Sequence, residues 1–222
     1  MNTRIFLFVL LAILSVSCKK NADNPPAGIS YPTDGLVSYF NFDENLKDQQ
    51  GNTPDGVYNG SATYVAGIHG NAVSLDGATQ YVSFARQTFK SGNNISVSLW
   101  FKTHQPGLAY LVMCSDFALV KNSTGLIAGI MISTPISNAA IGNYTEDSWT
   151  HLVGTYDGTN IRVYINGTFI QSVNYPGTIS DPHRDLSVGY YNTTYFAGAV
   201  DELYIYNRVL TQTDVTKLYN AR

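Results

Sequence analysis

The stretch from Trp149 to Val173, WTHLVGTYDGTNIRVYINGTFIQSV, holds two antiparallel turns written out in residues. Asp157-Gly158 separates an apolar run from the alternating Ile161, Val163, Ile165 segment, and Asn166-Gly167 separates that segment from Thr168 to Val173. Both dipeptides accept the positive φ that tight hairpin turns need, so three neighbouring strands of a meander are expected here.

The same pattern fills most of the chain on either side. Further strands are expected at Leu36 to Phe42, Ala72 to Leu75, Tyr81 to Phe84, Ile95 to Thr103, Ala109 to Met113, Ala118 to Asn122 and Gly125 to Ile132. The meander supplies Thr150 to Tyr156, Asn160 to Ile165 and Phe169 to Val173, and Leu186 to Gly189 and Gly198 to Asn207 complete the set. Runs rich in Val, Ile, Tyr and Phe, broken by Gly, Asn, Asp or Pro, indicate an all-β fold, a two-sheet antiparallel sandwich. The tail differs. Thr211 is a hydroxyl cap with Asp214 three residues on, and Val215 and Leu218 lie three apart, so one short C-terminal helix is expected over Thr211 to Tyr219.

The first residues read as an address. Arg4 precedes an apolar run from Ile5 to Leu14, too short for a membrane span but suited to a secretory signal. Leu14-Ser15-Val16-Ser17-Cys18 then resembles the lipobox of bacterial lipoproteins, which implies removal of residues 1–17 and acylation of Cys18. An ordinary cleavable signal is the alternative. Several acyl chains on one residue would hold a protein stably at a membrane, where a single chain is marginal. Residues 18–33 are polar, with three prolines in KKNADNPPAGISYPT, and read as a tether ahead of one domain over 34–222. Lys19 replaces the Asp that resembles an inner-membrane retention signal, which favours the outer membrane.

Composition removes several function classes. With Cys18 lipidated, Cys114 is left alone, so no intramolecular disulfide forms and the fold must rely on its core. Cys114 sits in an apolar segment and reads as a small buried hydrophobe. The net charge is −3 and no basic cluster follows Lys19-Lys20, which argues against nucleic acid as a partner.

Five motifs in order, covering most of residues 35–219, carry a family resemblance. They are Gly35-Leu-Val-Ser-Tyr-Phe-Asn-Phe-Asp43, Gly67-Ile-His-Gly-Asn-Ala-Val-Ser-Leu-Asp-Gly77 with Tyr81-Val82, Ser96-Val-Ser-Leu-Trp100, the Trp149 to Gly167 segment, and Gly198 to Leu210. Together they resemble laminin-G-like members of the concanavalin A-like lectin/glucanase superfamily, here in a Bacteroidetes-type lipoprotein. The resemblance implies a jelly-roll sandwich of two curved sheets, with Trp100 and Trp149 at core positions.

Hydrolytic members of that superfamily carry Glu-x-Asp-x-x-Glu on a strand, because period-two spacing puts the carboxylates on one face. The glutamates here, Glu44, Glu146 and Glu202, begin no such motif, and Glu202 beside Asp201 should point to the opposite face. His69, His104, His151 and His183 have no zinc-ligand spacing, and no Gly-x-Ser-x-Gly or Walker-type pattern occurs. The resemblance implies instead a structural calcium ion where the opening and closing strands meet. The matching positions are Asp43, Asp201 and the carbonyl of Gly70; their alternative is turn capping by Asp43 and backbone hydrogen bonding by Asp201. Asp76 reads as a turn residue.

Sixteen tyrosines are the remaining signal. A ring can stack on a sugar face while its hydroxyl stays wet. Tyr190, Tyr191, Tyr195 and Phe196 around Asn192-Thr193-Thr194, together with Tyr144, are therefore candidate ligand-binding residues, or else they cover the edge of the sandwich. The sequence reads as a non-catalytic, lipid-anchored envelope module that recognises carbohydrate. The alternatives are a protein-binding adhesion or assembly module and a hydrolase with a divergent active site.

Overall fold

The computed structural model describes residues 30–85, 93–114, 116–123, 125–130, 140–179 and 186–222. The expected signal, Cys18, most of the tether, His183 and the end of the strand expected to reach Ile132 lie outside them. The first described strands are β1 (Leu36–Phe40), β2 (Val57–Asn59), β3 (Tyr64–Ala66), β4 (Asn71–Asp76), β5 (Tyr81–Phe84) and β6 (Ile95–Lys102). Next come β7 (Ala109–Cys114), β8 (Phe117–Asn122), β9 (Gly125–Ile130), β10 (Ala140–Gly142), β11 (Thr150–Tyr156) and β12 (Asn160–Ile165). The series closes with β13 (Thr168–Asn174), β14 (Leu186–Val188), β15 (Tyr190–Tyr191), β16 (Thr194–Tyr195), β17 (Ala197–Tyr206) and the helix α1 (Gln212–Asn220).

These strands form an antiparallel sandwich. One sheet of eight strands runs β13-β12-β11-β6-β17-β4-β3 with β1 also on β17; the facing sheet of seven runs β10-β9-β8-β7-β14-β5-β2; β15 and β16 make a separate hairpin. The meander turns match their sequence. Asn166 and Gly167 both have positive φ, at 48° and 79°. At the other turn the Asp157 carboxylate accepts the backbone N–H groups of Thr159 and Asn160, with Gly158 at φ 86°.

Period-two alternation explains how a central strand can be buried on both faces. On β6, Ile95, Val97, Leu99 and Phe101 enter the core between the sheets. The residues between them face outward under the C-terminal segment, where the Ser96 hydroxyl bridges the Arg208 carbonyl and the Leu210 N–H. Trp100 stacks on Tyr219 of α1. Thr211 and Asp214 cap α1 reciprocally, and its Val215 and Leu218 bury against Tyr164, Tyr204 and Tyr206.

The chain ends meet side by side. β1 pairs with β17, placing Tyr39 opposite Tyr204 and Phe40 opposite Leu203. The Tyr39 and Tyr204 rings stack at 4.3 Å, and Tyr31 packs 5.2 Å from each. Tyr206 donates a hydrogen bond to the Pro32 carbonyl. Tyr31 and Pro32, which lie within the residues expected as a tether, thus contact β1 and β17. Trp149 also departs from expectation: it is half-buried outside the core, with the Lys102 ammonium 5.3 Å from its ring centre.

Candidate functional site

Two places gather polar side chains. The first lies where β1 runs out and β17 bulges. The pairing of β17 with β6 shifts register between Asp201 and Tyr204, and Glu202 takes a positive φ of 52°. Simple alternation is broken there, and both neighbouring carboxylates are buried, as β17 is on both faces from Ala199 to Tyr206. Glu202 accepts hydrogen bonds from the hydroxyls of Tyr39 and Tyr204. Asp201 turns to the loop between β3 and β4, where its Oδ2 accepts the N–H groups of Ile68 and His69.

Glycines make that loop possible. A Cβ on Gly67 would lie 2.4 Å from Asp201 Oδ2, and one on Gly70, at φ 41°, would lie 1.9 Å from Asp43 Oδ1. Asp43 in turn accepts the Asn71 N–H at 2.8 Å. Asp43 and Asp201 thus both contact the loop that carries Gly70. Phe42 and Glu44, on either side of Asp43, also hold positive φ, so backbone strain is concentrated at this junction. Burial first, and the Glu202 charge second, push the Asp201 carboxyl up to about 8.

These donors suit a hard cation. They are all oxygens, and the hydrogen bonds named leave lone pairs on both carboxylates and on the Gly70 carbonyl, which accepts only from Gly67 N–H among those bonds. Among the described residues no group of three or more His, Cys, Asp and Glu side chains is placed to hold a metal ion. Carbonyls and water would have to complete a calcium shell. Among the described histidines, His69 meets the Ala221 carbonyl, His104 faces Asp147, and His151 is buried against Ser98 and Trp100.

The second place is a pocket of about 330 Å³ at one end of the seven-stranded sheet. Gln105 from the β6–β7 loop, Asn122 at the end of β8 and Ser123 just after it, and Asn143, Tyr144 and Glu146 from the β10–β11 loop line it. The Tyr144 ring is set edge-on against Phe101, and its hydroxyl pKa is raised by burial and then by the Glu146 charge. Gln105 ties the pocket to the tyrosine hairpin. Its side-chain amide donates to the Tyr195 carbonyl at 3.0 Å and accepts the Ala197 N–H at 2.8 Å.

The hairpin is a packed aromatic unit. Tyr190 stacks on Tyr81 at 4.5 Å and lies 4.8 Å from Tyr195, while Tyr191 packs on Tyr110 over the outer face of the seven-stranded sheet. Phe196 is a correction: it is fully buried in the inter-sheet core and cannot touch an external ligand. Tyr144 alone of the aromatic candidates lines the pocket. Gln105, Asn122, Ser123 and Glu146 were missed from sequence, because three separate turns must fold to one sheet end before they become neighbours. The hairpin register that places Lys121 beside Ala109 was the available clue.

No curated protein sequence matches the chain. Among solved structures it is similar to domain 4 of AbnA, an extracellular arabinanase from Geobacillus stearothermophilus, solved in complex with arabinotriose. The identity is 26%, with 83% of this chain and 98% of that one covered and a TM-score of 0.70. It shares its fold with the binding domain of botulinum neurotoxin DC in complex with rat synaptotagmin II, at 14% identity, 85% and 52% coverage and a TM-score of 0.71. A botulinum neurotoxin type C structure described in connection with two ganglioside molecules matches at 14% identity, 85% and 51% coverage and a TM-score of 0.68. The chain spans about half the length of the two toxin chains. The family model Laminin_G_3 matches residues 76–216. With its opening and closing strands paired and its two antiparallel sheets packed face to face, the chain belongs to this family of the concanavalin A-like lectin/glucanases superfamily.

Proposed function

We propose that this chain is a non-catalytic glycan-binding module, lipid-anchored through Cys18 at the outer membrane of a bacterial envelope. The pocket beside Tyr144 carries the reading: one partly buried aromatic ring stands among amide and hydroxyl side chains, a lining that matches a sugar's apolar face and its ring of hydroxyls. The similarity to an arabinanase domain solved with arabinotriose supports it. Glycoside hydrolysis needs two carboxyl groups flanking the bond, whereas Glu146 is the one carboxylate among the described lining residues. Asp43, Asp201 and the Gly70 carbonyl hold a structural calcium ion, which would bind the end of the opening strand to the closing one.

A second reading has its own observation. Strand β13 lies at the rim of the eight-stranded sheet, with Phe169 46% and Ile170 40% exposed, and an extended protein segment could dock there. A glycan array read with and without calcium, on the full chain and on Tyr144→Ala, separates the two. Hits lost in the variant, with no product formed, support the module; silence across a broad panel would leave the protein-binding reading.

A further inference from the structure

The charges around the Tyr144 pocket are arranged unequally, and what they imply rests on the glycan reading above. Of the described residues lining the pocket, Glu146 alone carries a formal charge. A cation does lie close by. Lys121, at the end of β8, is fully buried, and its ammonium donates to the Gln105 carbonyl and stands 6.0 Å from the centre of the Tyr144 ring. Both of those partners are wall residues, so a ligand meets a carbonyl oxygen and a ring where the ammonium would otherwise be. Glu146 also acts on that ammonium, opposing the effect of its burial. On the same rim His104 faces Asp147 at 3.4 Å, so its ring is matched with a carboxylate as well.

We infer that the pocket selects uncharged saccharides over carboxylate-bearing ones, and that Glu146 sets this choice. Vicinal sugar hydroxyls can donate to its two oxygens in charge-assisted hydrogen bonds. A ligand carboxylate would instead bring a like charge beside Glu146, where the buried lysine is already answered. At the Gln105 side-chain amide one of the two N–H groups is engaged by the Tyr195 carbonyl and the oxygen by the Ala197 N–H, which leaves at most one neutral donor there in compensation.

The test is calorimetric titration of the full chain with arabinotriose and other neutral oligosaccharides, and with uronate-bearing and sialylated oligosaccharides of equal length. The neutral ligands should bind at least ~10-fold more tightly than the acidic ones, the scale of one like-charge contact near a protein surface. In Glu146→Gln that ratio should shrink to within about threefold, because the Lys121 charge loses its counterpart. Asp147→Asn should leave the ratio in place; an equal change there would mean a general surface field and overturn the assignment to Glu146. Acidic ligands binding as tightly as neutral ones, with Tyr144→Ala abolishing both, would overturn the inference and leave the glycan reading standing. Failure of every oligosaccharide to bind would remove the glycan reading itself, and this inference with it.

Discussion

His69 Nε2 lies 2.6 Å from the carbonyl oxygen of Ala221, fastening the loop that cradles Asp43 and Asp201 to the residue that closes α1. A net hydrogen bond contributes on the order of 1 kcal/mol. In a domain of this size that corresponds to about 2–4 °C in Tm. His69→Ala should lower Tm by that amount and speed amide hydrogen exchange at Leu218 to Ala221. Unchanged exchange at the helix end would show that the contact carries no mechanical link.

Calcium added to chelated protein should raise Tm by several degrees, through mass action on the folded state. Asp43→Asn should abolish the response while costing little by itself, since Asp43 is exposed. Gly70→Ala should abolish it and also destabilise the fold, because a Cβ would collide with Asp43 Oδ1 at a left-handed φ. Identical melting curves with chelator and with calcium would exclude the ion.

His151 is buried with its Nε2 on the Ser98 hydroxyl, and its Nδ1 has no hydrogen-bond partner among the described residues. Burial, aided by the Arg222 charge, depresses its pKa to about 3. The folded pKa lies below the unfolded one, so the stabilisation is complete above about pH 6.5 and is lost as pH falls toward 3. Urea unfolding should lose about 1.4 kcal/mol per pH unit across that window from this group alone. His151→Gln should flatten the slope.

The Glu202 carboxylate depends on two tyrosine hydroxyls. Tyr39→Phe should cost about 1–3 kcal/mol, since it leaves a buried acceptor short of a donor. Tyr204→Phe should behave alike, and the double variant should cost less than the sum because the two share one partner. Strict additivity in chemical denaturation would mean that the hydroxyls do not act on Glu202 together.

Tyr144→Ala should weaken oligosaccharide binding by tenfold or more, the order of one lost stacking contact. A Tyr191→Ala, Tyr195→Ala pair should weaken it less and lower stability more, since Tyr191 packs on Tyr110 and Tyr195 on Tyr190. Equal losses of affinity in the two variants would place the hairpin in the ligand's path.

The fold was legible wherever a strand is long and alternates. β5, β11 and β12 begin and end where the sequence indicates, and the tail is helical because Thr211 and Asp214 spell a cap. The strands that went unread, β2, β3, β10, β15 and β16, span two or three residues each, too few to show a period. Asp43, Gly70 and Asp201 could be paired only through the family motifs, because their meeting depends on contacts across some 130 residues of chain. The bulge at Glu202 has no local signature, and the sequence carries no sign of the register shift between Asp201 and Tyr204. Phe196 looked like a loop aromatic, yet the tight turn at Asn192-Thr193 shortens that loop and returns the following residue to the core.

The docking of Tyr31 against Tyr39 and Tyr204 also decides where a mechanical load would arrive. Tension applied on the amino-terminal side should not spread over the surface of the sandwich. It should reach β1 and, through the stacked rings, the two hydroxyls that donate to Glu202. Pulled from that end, the molecule should yield first at its strained seam, while the facing sheet and the Tyr144 pocket keep their shape.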